Sequence, residues 1–365
     1  DIYFSKTNNS INFKYNDTNQ LVLKSKKLTK YNINNFILFE KNNLIVNDEK
    51  GNIIIFSVTK NKTIAKFNFY KKKYKKIEKK LNLIVENDVI YVSDNIGYLY
   101  AYNYNLNKIL WAKNYNIPFR SNLKLSKNKL IAANQNNNLY FFNKDTGDEL
   151  SLIPTEETIV KNQFVNNLSI GDDSLFFLNT YGSLYSVDIK TMRINWFINL
   201  NQSLNINPSS LFFGNQVVLS NNKIVVSSNK NTYIIDKITG TTIYKKKFSS
   251  ILKPLISNKH IFIITKNNLL VSINLNNGNI VYSYDINEKI SEFLNTKKYK
   301  VEFKNIMLIN SEVFIFLRNS YVLKFNINGE LKEVLKLPSK IHSQPILIDD
   351  AILYLNTKKK LSIVN

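Results

Sequence analysis

The chain has 365 residues, 44% of them hydrophobic, and a formal net charge of +23 that comes from 50 Lys and Arg against 27 Asp and Glu. Because it contains no cysteine, disulfides, thiolate catalysis and cysteine-based metal sites are excluded. No run of apolar residues approaches the roughly 18 that a membrane-spanning helix requires.

The chain starts with a segment, residues 1–19, that we interpret as an N-terminal extension. Its first residue is Asp1 rather than Met, so we expect that a signal peptide or a membrane anchor has been removed. A strand-like run follows at residues 20–24, and the first complete repeat unit begins near Phe36. Length alone suggests two or three domains, but the repeat described next predicts that residues 20–365 form a single domain.

One pattern recurs seven times: a short β-forming run, a turn and a second hydrophobic run. The first runs end at residues 57, 103, 143, 188, 236, 274 and 326. A spacing of about 40–50 residues is the length of a four-stranded propeller blade. The runs are rich in Ile, Val, Leu, Tyr and Phe, which favours strands over the helices of an α-solenoid.

Each unit also contains two further strand-like runs, such as residues 81–85 and 89–93 in the second unit. The turn between the last two strands carries Asp-Thr-Gly at 145–147, Ile-Thr-Gly at 238–240 and Asn-Asn-Gly at 276–278. Gly and Asn accept the positive φ angles that tight hairpins require. Four strands per unit are therefore predicted.

An eighth unit is predicted at the C-terminus. Residues 344–348, 351–355 and 360–364 form three strand-like runs and end before a fourth. We expect the run at 20–24 to complete this blade, so that pairing of the N- and C-terminal strands closes the ring and protects its edges. The predicted fold is an all-β, eight-bladed β-propeller, with seven blades and an irregular C-terminal cap as the alternative.

The positive charge is carried almost entirely by lysine, and arginine occurs only at positions 120, 193 and 318. Surfaces that read bases or clamp phosphates use arginine more heavily, so we predict a solvated lysine coat and no nucleic-acid partner. One dense cluster, between the first two complete units, is interpreted either as a solvated loop or as a patch for an anionic membrane surface. Its lysines are Lys71, Lys72, Lys73, Lys75, Lys76, Lys79 and Lys80. The same two interpretations apply to residues 297–300.

The sequence offers little for catalysis, and we predict no catalytic residue, metal ligand or cofactor site. His260 and His342 stand alone, and no carboxylates cluster near them at ligand spacing. The acidic pairs at 172–173 and 349–350 precede hydrophobic runs and are typical of hairpin turns. Residues 156–157, a Glu pair, lie in a connector and are interpreted as a solvated loop, with contact to a partner as the alternative.

Residues 97–111 and 182–196 carry the clearest copies of the repeat, Gly-x-Leu-Tyr-x-hydrophobic-Asp/Asn followed by hydrophobic-x-Trp, and include Trp111 and Trp196. This unit resembles the PQQ-type propeller repeat of quinoprotein dehydrogenases and of the outer-membrane assembly lipoprotein BamB. The enzymes of that group use a vicinal cysteine pair, a tryptophan against the quinone and a calcium site with Asp and Glu. This chain has no cysteine, and its two tryptophans belong to repeat positions. A cytosolic adaptor of the WD type is a third possibility, although the Gly-His and Trp-Asp pairs of that family are missing.

Resemblance to BamB implies a scaffold without enzymatic activity, located in the periplasm at the outer membrane. Its expected partners are the periplasmic domains of the β-barrel insertase and unfolded outer-membrane proteins, with the chain a monomer within the complex. The connector carrying Pro118, Phe119 and Arg120 resembles the family loop that touches the insertase through a hydrophobic-Arg pair. The next connector adds Phe164 and Asn166. The alternative is that Phe119 lies in the core and Arg120 caps a local carboxylate.

Overall fold

The computed structural model describes residues 2–3, 27–70, 74–157, 165–201, 214–220, 222–228, 230–257, 259–295, 301–348 and 351–364. Over these ranges the chain forms 32 strands and one helix. The strands make eight sheets, seven of which have at least four strands. Within each sheet, three or four strands that are consecutive in the chain lie side by side and antiparallel. The predicted eight-bladed propeller is therefore confirmed.

The blades are numbered in chain order. Blades 1 and 2 consist of β2 Leu38–Glu40, β3 Asn43–Asn47, β4 Asn52–Ser57 and β5 Lys62–Asn68, then β6 Leu81–Glu86, β7 Val89–Asp94, β8 Tyr98–Asn103 and β9 Lys108–Asn114. Blades 3 and 4 consist of β10 Lys124–Ser126, β11 Lys129–Ala133, β12 Leu139–Asn143 and β13 Glu149–Ile153, then β14 Asn167–Gly171, β15 Ser174–Leu178, β16 Ser183–Asp188 and β17 Arg193–Asn199.

Blades 5 and 6 consist of β18 Val218–Leu219, β19 Lys223–Ser227, β20 Thr232–Asp236 and β21 Thr242–Lys246, then β22 Leu255–Ser257, β23 His260–Ile264, β24 Leu269–Asn274 and β25 Ile280–Asp285. Helix α1, Ile286–Phe293, follows and is capped by Asp285. Blades 7 and 8 consist of β26 Phe303–Ile309, β27 Glu312–Leu317, β28 Tyr321–Phe325 and β29 Leu331–Lys336, then β30 Ile346–Ile348, β31 Ala351–Leu355 and β32 Leu361–Val364. The two-residue strand β1, Ile2–Tyr3, pairs in parallel with β26.

Each blade runs from the axis of the ring to its rim. The first strands of successive blades contact one another: β10 contacts β14, and β14 contacts β18. The first strands therefore surround a central channel. The second and third strands are almost fully buried, whereas fourth strands such as β5 and β17 are largely exposed. The hydrophobic core accordingly consists of apolar layers between neighbouring blades.

Blade 8 joins blade 1 to close the ring. Gln344 N donates to Asn35 O at 2.7 Å, and Nε2 of His342 lies 2.9 Å from Ile33 O. A shared apolar cluster connects Leu353 and Leu355 of blade 8 with residues of blade 1. Three strands of blade 8 belong to the described chain, and the predicted closing strand at residues 20–24 lies outside the described residues.

In the repeat, an aromatic ring of one blade packs against a glycine of the next blade. Trp111, in the fourth strand of blade 2, lies against Gly147 of blade 3, where a Cβ would come within 2.4 Å of the ring. Trp196 of blade 4 is placed in the same way against Gly240 of blade 5. Both glycines have φ of +75°, a conformation that glycine adopts without strain. Two later blades repeat the contact with tyrosine, as Tyr244 against Gly278 and Tyr282 against Gly329.

Amide side chains connect successive blades at the start of their first strands. Asn122 Nδ2 donates to Leu168 O at 2.8 Å, and Leu168 N donates back to Asn122 Oδ1 at 2.9 Å. Four more asparagines donate a hydrogen bond to a backbone carbonyl of the next blade: Asn34, Asn167, Asn215 and Asn305. These bonds fix the edge of the central channel at the end where the first strands begin.

Candidate functional site

The candidate site lies on one face of the ring, which we call the connector face. This face carries the connectors between blades and the turns between the second and third strands of each blade. The opposite face, the hairpin face, carries the remaining turns. The predicted residues Pro118, Phe119, Arg120 and Asn166 all belong to the connector face, at blades 3 and 4, while Phe164 lies outside the described residues.

The structure brings Arg120 and Asn166 together. Asn166 N donates to Arg120 O at 2.8 Å, and the Asn166 side chain donates to Asn134 O at 2.8 Å. Pro118 is half-buried, and its carbonyl accepts a hydrogen bond from Gln135 N at 2.8 Å. Backbone hydrogen bonds to blade 3 therefore hold the connector on both sides of Phe119.

Phe119 is not available to a partner. Its side chain is 2% exposed and packs edge-on against Tyr115, Tyr140 and Phe142 in the apolar layer between blades 2 and 3. The predicted role of Phe119 as a surface anchor is therefore wrong, and the alternative assignment to the core is correct. An aromatic ring of this size is far more stable in that layer than in water.

Arg120 is the polar group that remains at the connector. Its guanidinium is partly buried, and this burial lowers the pKa of Arg120 below its ordinary value. The Nη1 atom is buried and has no hydrogen-bond partner in the described chain. A buried donor without a partner costs about 1–3 kcal/mol, so Arg120 is an unsatisfied polar group of the connector. The expected cap of a local carboxylate is not seen among the described residues.

Glu156 anchors the connector between blades 3 and 4. Its carboxylate accepts hydrogen bonds from Tyr185 and Ser183 at 2.7 Å and from Asn179 at 2.8 Å. Burial alone raises the pKa of Glu156, but these hydrogen bonds outweigh it, so that the pKa lies below its ordinary value. Glu156 is exposed to solvent, as expected for a loop residue, but its three hydrogen bonds fix the connector to blade 4.

The lysines of the predicted patch differ in exposure. Lys79 is 4% exposed, donates to the carbonyl oxygens of Tyr74 and Ile77, and lies 5.3 Å from the ring centre of Tyr70. Lys79 is therefore a structural residue and does not belong to a surface patch. The exposed members are Lys75, Lys76 and Lys80, whereas Lys71, Lys72 and Lys73 lie outside the described residues, as does the segment 297–300.

A pocket of about 390 Å³ opens at the central channel on the connector face. It is lined by the first strands of blades 1 and 2 and by residues at the start of the first strands of blades 3 to 5. Two apolar side chains at its mouth, Phe36 and Val165, are 59% and 52% exposed. The sequence did not reveal this pocket because its lining comes from five separate blades.

The described part of the chain contains no group of three or more His, Asp or Glu side chains able to hold a metal ion. Its single helix does not have the length and apolar character of a membrane span.

A family model described as outer membrane protein assembly factor BamB matches residues 49–284 and 199–340. BamB from Moraxella catarrhalis is similar in structure, with a TM-score of 0.70 at 11% identity over 92% of this chain and 99% of that one. The computationally designed Ika8 protein gives 0.65 at 12% identity, over 93% and 99%. The C-terminal WD40 domain of Sif2 gives 0.63 at 10% identity, over 93% and 97%. No curated protein matches the sequence.

Proposed function

The chain belongs to the family of the outer membrane protein assembly factor BamB, and we propose that it is a non-enzymatic scaffold of the machinery that assembles β-barrel proteins. The observation that carries this proposal is the extent of the family match, which spans residues 49–340. In this function the ring docks the periplasmic domains of the β-barrel insertase and aids the delivery of unfolded outer-membrane proteins. The chain acts as a monomer within that complex, in the periplasm at the outer membrane.

Arg120 is the docking residue in this proposal. Its side chain lies on the connector face, its backbone is fixed by hydrogen bonds to blades 3 and 4, and its Nη1 donor is unused among the described residues. A carboxylate or carbonyl of the insertase would satisfy that donor in a charge-assisted hydrogen bond. Arginine anchors of this kind often cost more than about 2 kcal/mol of binding energy when they are truncated.

A quinoprotein enzyme is disfavoured by the roles of the two tryptophans. Both rings, Trp111 and Trp196, are occupied by their glycine contacts between blades, and Trp111 also donates to Lys144 O at 2.9 Å. Neither ring is free to stack on a quinone. The chain also has no cysteine to supply a vicinal pair.

The proposal is tested by affinity purification from cell envelopes. The wild-type chain is expected to recover the insertase, and Arg120→Glu is expected to lose it while remaining folded. Arg193→Glu is the matched control, because it makes the same charge change at an exposed position on β17, the outer strand of blade 4. Recovery of the insertase by Arg120→Glu at the wild-type level would remove Arg120 from the interface. Failure of the wild-type chain to recover it, with other proteins recovered instead, would favour a general propeller adaptor.

A further inference from the structure

The pocket at the central channel differs from the rest of the surface in its chemistry. The chain carries a formal charge of +23, yet none of the described residues that line the pocket is charged. Its apolar lining includes Phe36, Leu38, Leu83 and Val165, and the remaining side chains are mainly amides. A lining of this kind suits a neutral ligand that has both apolar and hydrogen-bonding groups.

One amide in the pocket lacks a hydrogen-bond partner. Asn47, at the end of β3, is 3% exposed, and its Nδ2 atom is buried without a partner among the described residues. Other asparagines around the channel donate a hydrogen bond to a carbonyl of the next blade, as Asn122 and Asn215 do. Asn47 therefore presents an unused donor beside the pocket, and such a donor is normally paired in a native structure.

The pocket walls are held by the structure before any ligand binds. The blade-to-blade hydrogen bonds of Asn34, Asn122 and Asn167 run through the lining itself. A site with fixed walls loses little entropy on binding. Its volume of about 390 Å³ lies within the usual range for ligand sites, about 300–1,000 Å³.

From these observations we infer that the pocket binds an extended, uncharged peptide segment, with one apolar side chain packed against Phe36 and Val165 and a backbone carbonyl accepting from Asn47 Nδ2. The peptide chemistry follows from the combination of amide and apolar groups in one lining. Strands of membrane β-barrels alternate apolar and polar residues, and such a segment would place its apolar side chains on one side. The inference rests on the proposed function only in its choice of client, an unfolded outer-membrane protein.

The test uses the purified full chain and a capped, fluorescein-labelled peptide of about ten residues, the length of a barrel strand, in which Phe or Val alternates with Thr or Ser. Fluorescence anisotropy measures its affinity. A second peptide carries Asp in place of every Phe and Val. We expect the first peptide to bind and the second to bind at least about tenfold more weakly, because burying an unpaired carboxylate is unfavourable.

Three variants locate the binding site. Phe36→Asp is expected to weaken binding at least about tenfold, since it places a charge in the apolar mouth. Its matched control is Ile238→Asp, because Ile238 is 76% exposed on the hairpin face and its change should leave the affinity unaltered. Asn47→Leu is expected to weaken binding about twofold to tenfold, the range of one net hydrogen bond, and to raise the melting temperature by removing an unpartnered donor.

Absence of binding by the first peptide, equal binding of both peptides, or equal effects of Phe36→Asp and Ile238→Asp would overturn the inference. Unchanged binding by Asn47→Leu would overturn the assigned hydrogen bond. The assay contains no insertase, so its outcome is separate from that of the envelope purification. Peptide binding without insertase recovery would contradict the proposed function alone, and the reverse result would contradict this inference alone.

Discussion

The contact between Trp196 and Gly240 predicts a specific loss of stability for Gly240→Ala. Gly240 has φ of +75°, and an added Cβ would lie 2.6 Å from Cε3 and 2.7 Å from Cδ2 of Trp196. The left-handed backbone costs alanine roughly 1–2 kcal/mol. Pressing a methyl group into a packed ring adds about 1–3 kcal/mol. The expected total is therefore about 2–5 kcal/mol.

Thermal unfolding followed by circular dichroism measures this loss. A change of 1 kcal/mol shifts the melting temperature of a domain of 150–250 residues by about 2–4 °C, and a larger domain lies near the lower value. We therefore expect a decrease of roughly 4–10 °C for Gly240→Ala. Gly171→Ala is the control, because Gly171 lacks the left-handed φ and the one close approach of its Cβ, 2.7 Å, is to Cδ1 at the flexible end of Leu219, which can shift.

A double-mutant cycle separates the two contributions. In a Trp196→Leu background the ring is gone, and Gly240→Ala should cost only the backbone contribution, about 1–2 kcal/mol. An equal cost in both backgrounds would show that the ring does not restrict this position. An effect no larger than that of Gly171→Ala would refute the whole explanation of the repeat glycine.

Three further predictions concern the connector face and the lysine cluster. Phe119→Ala should lower the free energy of unfolding by about 3–5 kcal/mol, as for other buried aromatic residues, whereas Arg120→Glu should change it by much less. Denaturant titrations measure both variants, and equal losses would contradict the burial of Phe119. Lys79→Met should destabilise the chain by about 1–3 kcal/mol, because two carbonyls lose their donor, while Lys75→Met should be neutral in the same titration. The pKa of Glu156 is lowered in the folded state, so its stabilising contribution is present above the ordinary glutamate pKa and is lost as the pH falls through the folded value. The stability difference between wild type and Glu156→Gln should accordingly shrink on acidification, and a difference that grows would contradict the hydrogen-bond network.

The repeat was sufficient to predict the blades. Six of the seven marked runs end at the last residue of a third strand, for example at Ser57, Asn143 and Asp236, and the seventh lies one residue beyond its strand. Hydrophobic period and Gly or Asn turns are local signals, and each blade repeats them, so that weak copies are supported by strong ones. The resemblance to the PQQ-type repeat led to the correct family for the same reason.

The sequence left Phe119 open between a surface anchor and a core residue, because its connector was interpreted without comparison with the other connectors. In four blades the corresponding connector residue pairs with the turn after the second strand: Ile33 with Asp48, Phe119 with Asn134, Ser250 with Thr265 and Ile341 with Asn356. All four connector residues are buried. Alignment of the connectors on their distance from the first strand would have assigned Phe119 to the core.

The burial of Lys79 and the central pocket depend on contacts in the folded chain that local sequence patterns do not predict. Lys79 lies in a run of lysines, and only the position of Tyr70 and two backbone carbonyls distinguishes it from its exposed neighbours. The central pocket combines short segments that are far apart in sequence, such as Phe36 and Gln216. Both features follow from where the folded chain places these segments, and the order of residues along the sequence does not reveal that placement.

The most direct test of the scaffold function is the affinity of the purified chain for the purified periplasmic domains of the insertase, measured by isothermal titration calorimetry. The account predicts saturable binding by the wild-type chain and by Arg193→Glu. It predicts binding at least about tenfold weaker for Arg120→Glu, as expected for an arginine anchor. No binding by the wild-type chain, or equal affinities for the two arginine variants, would contradict it.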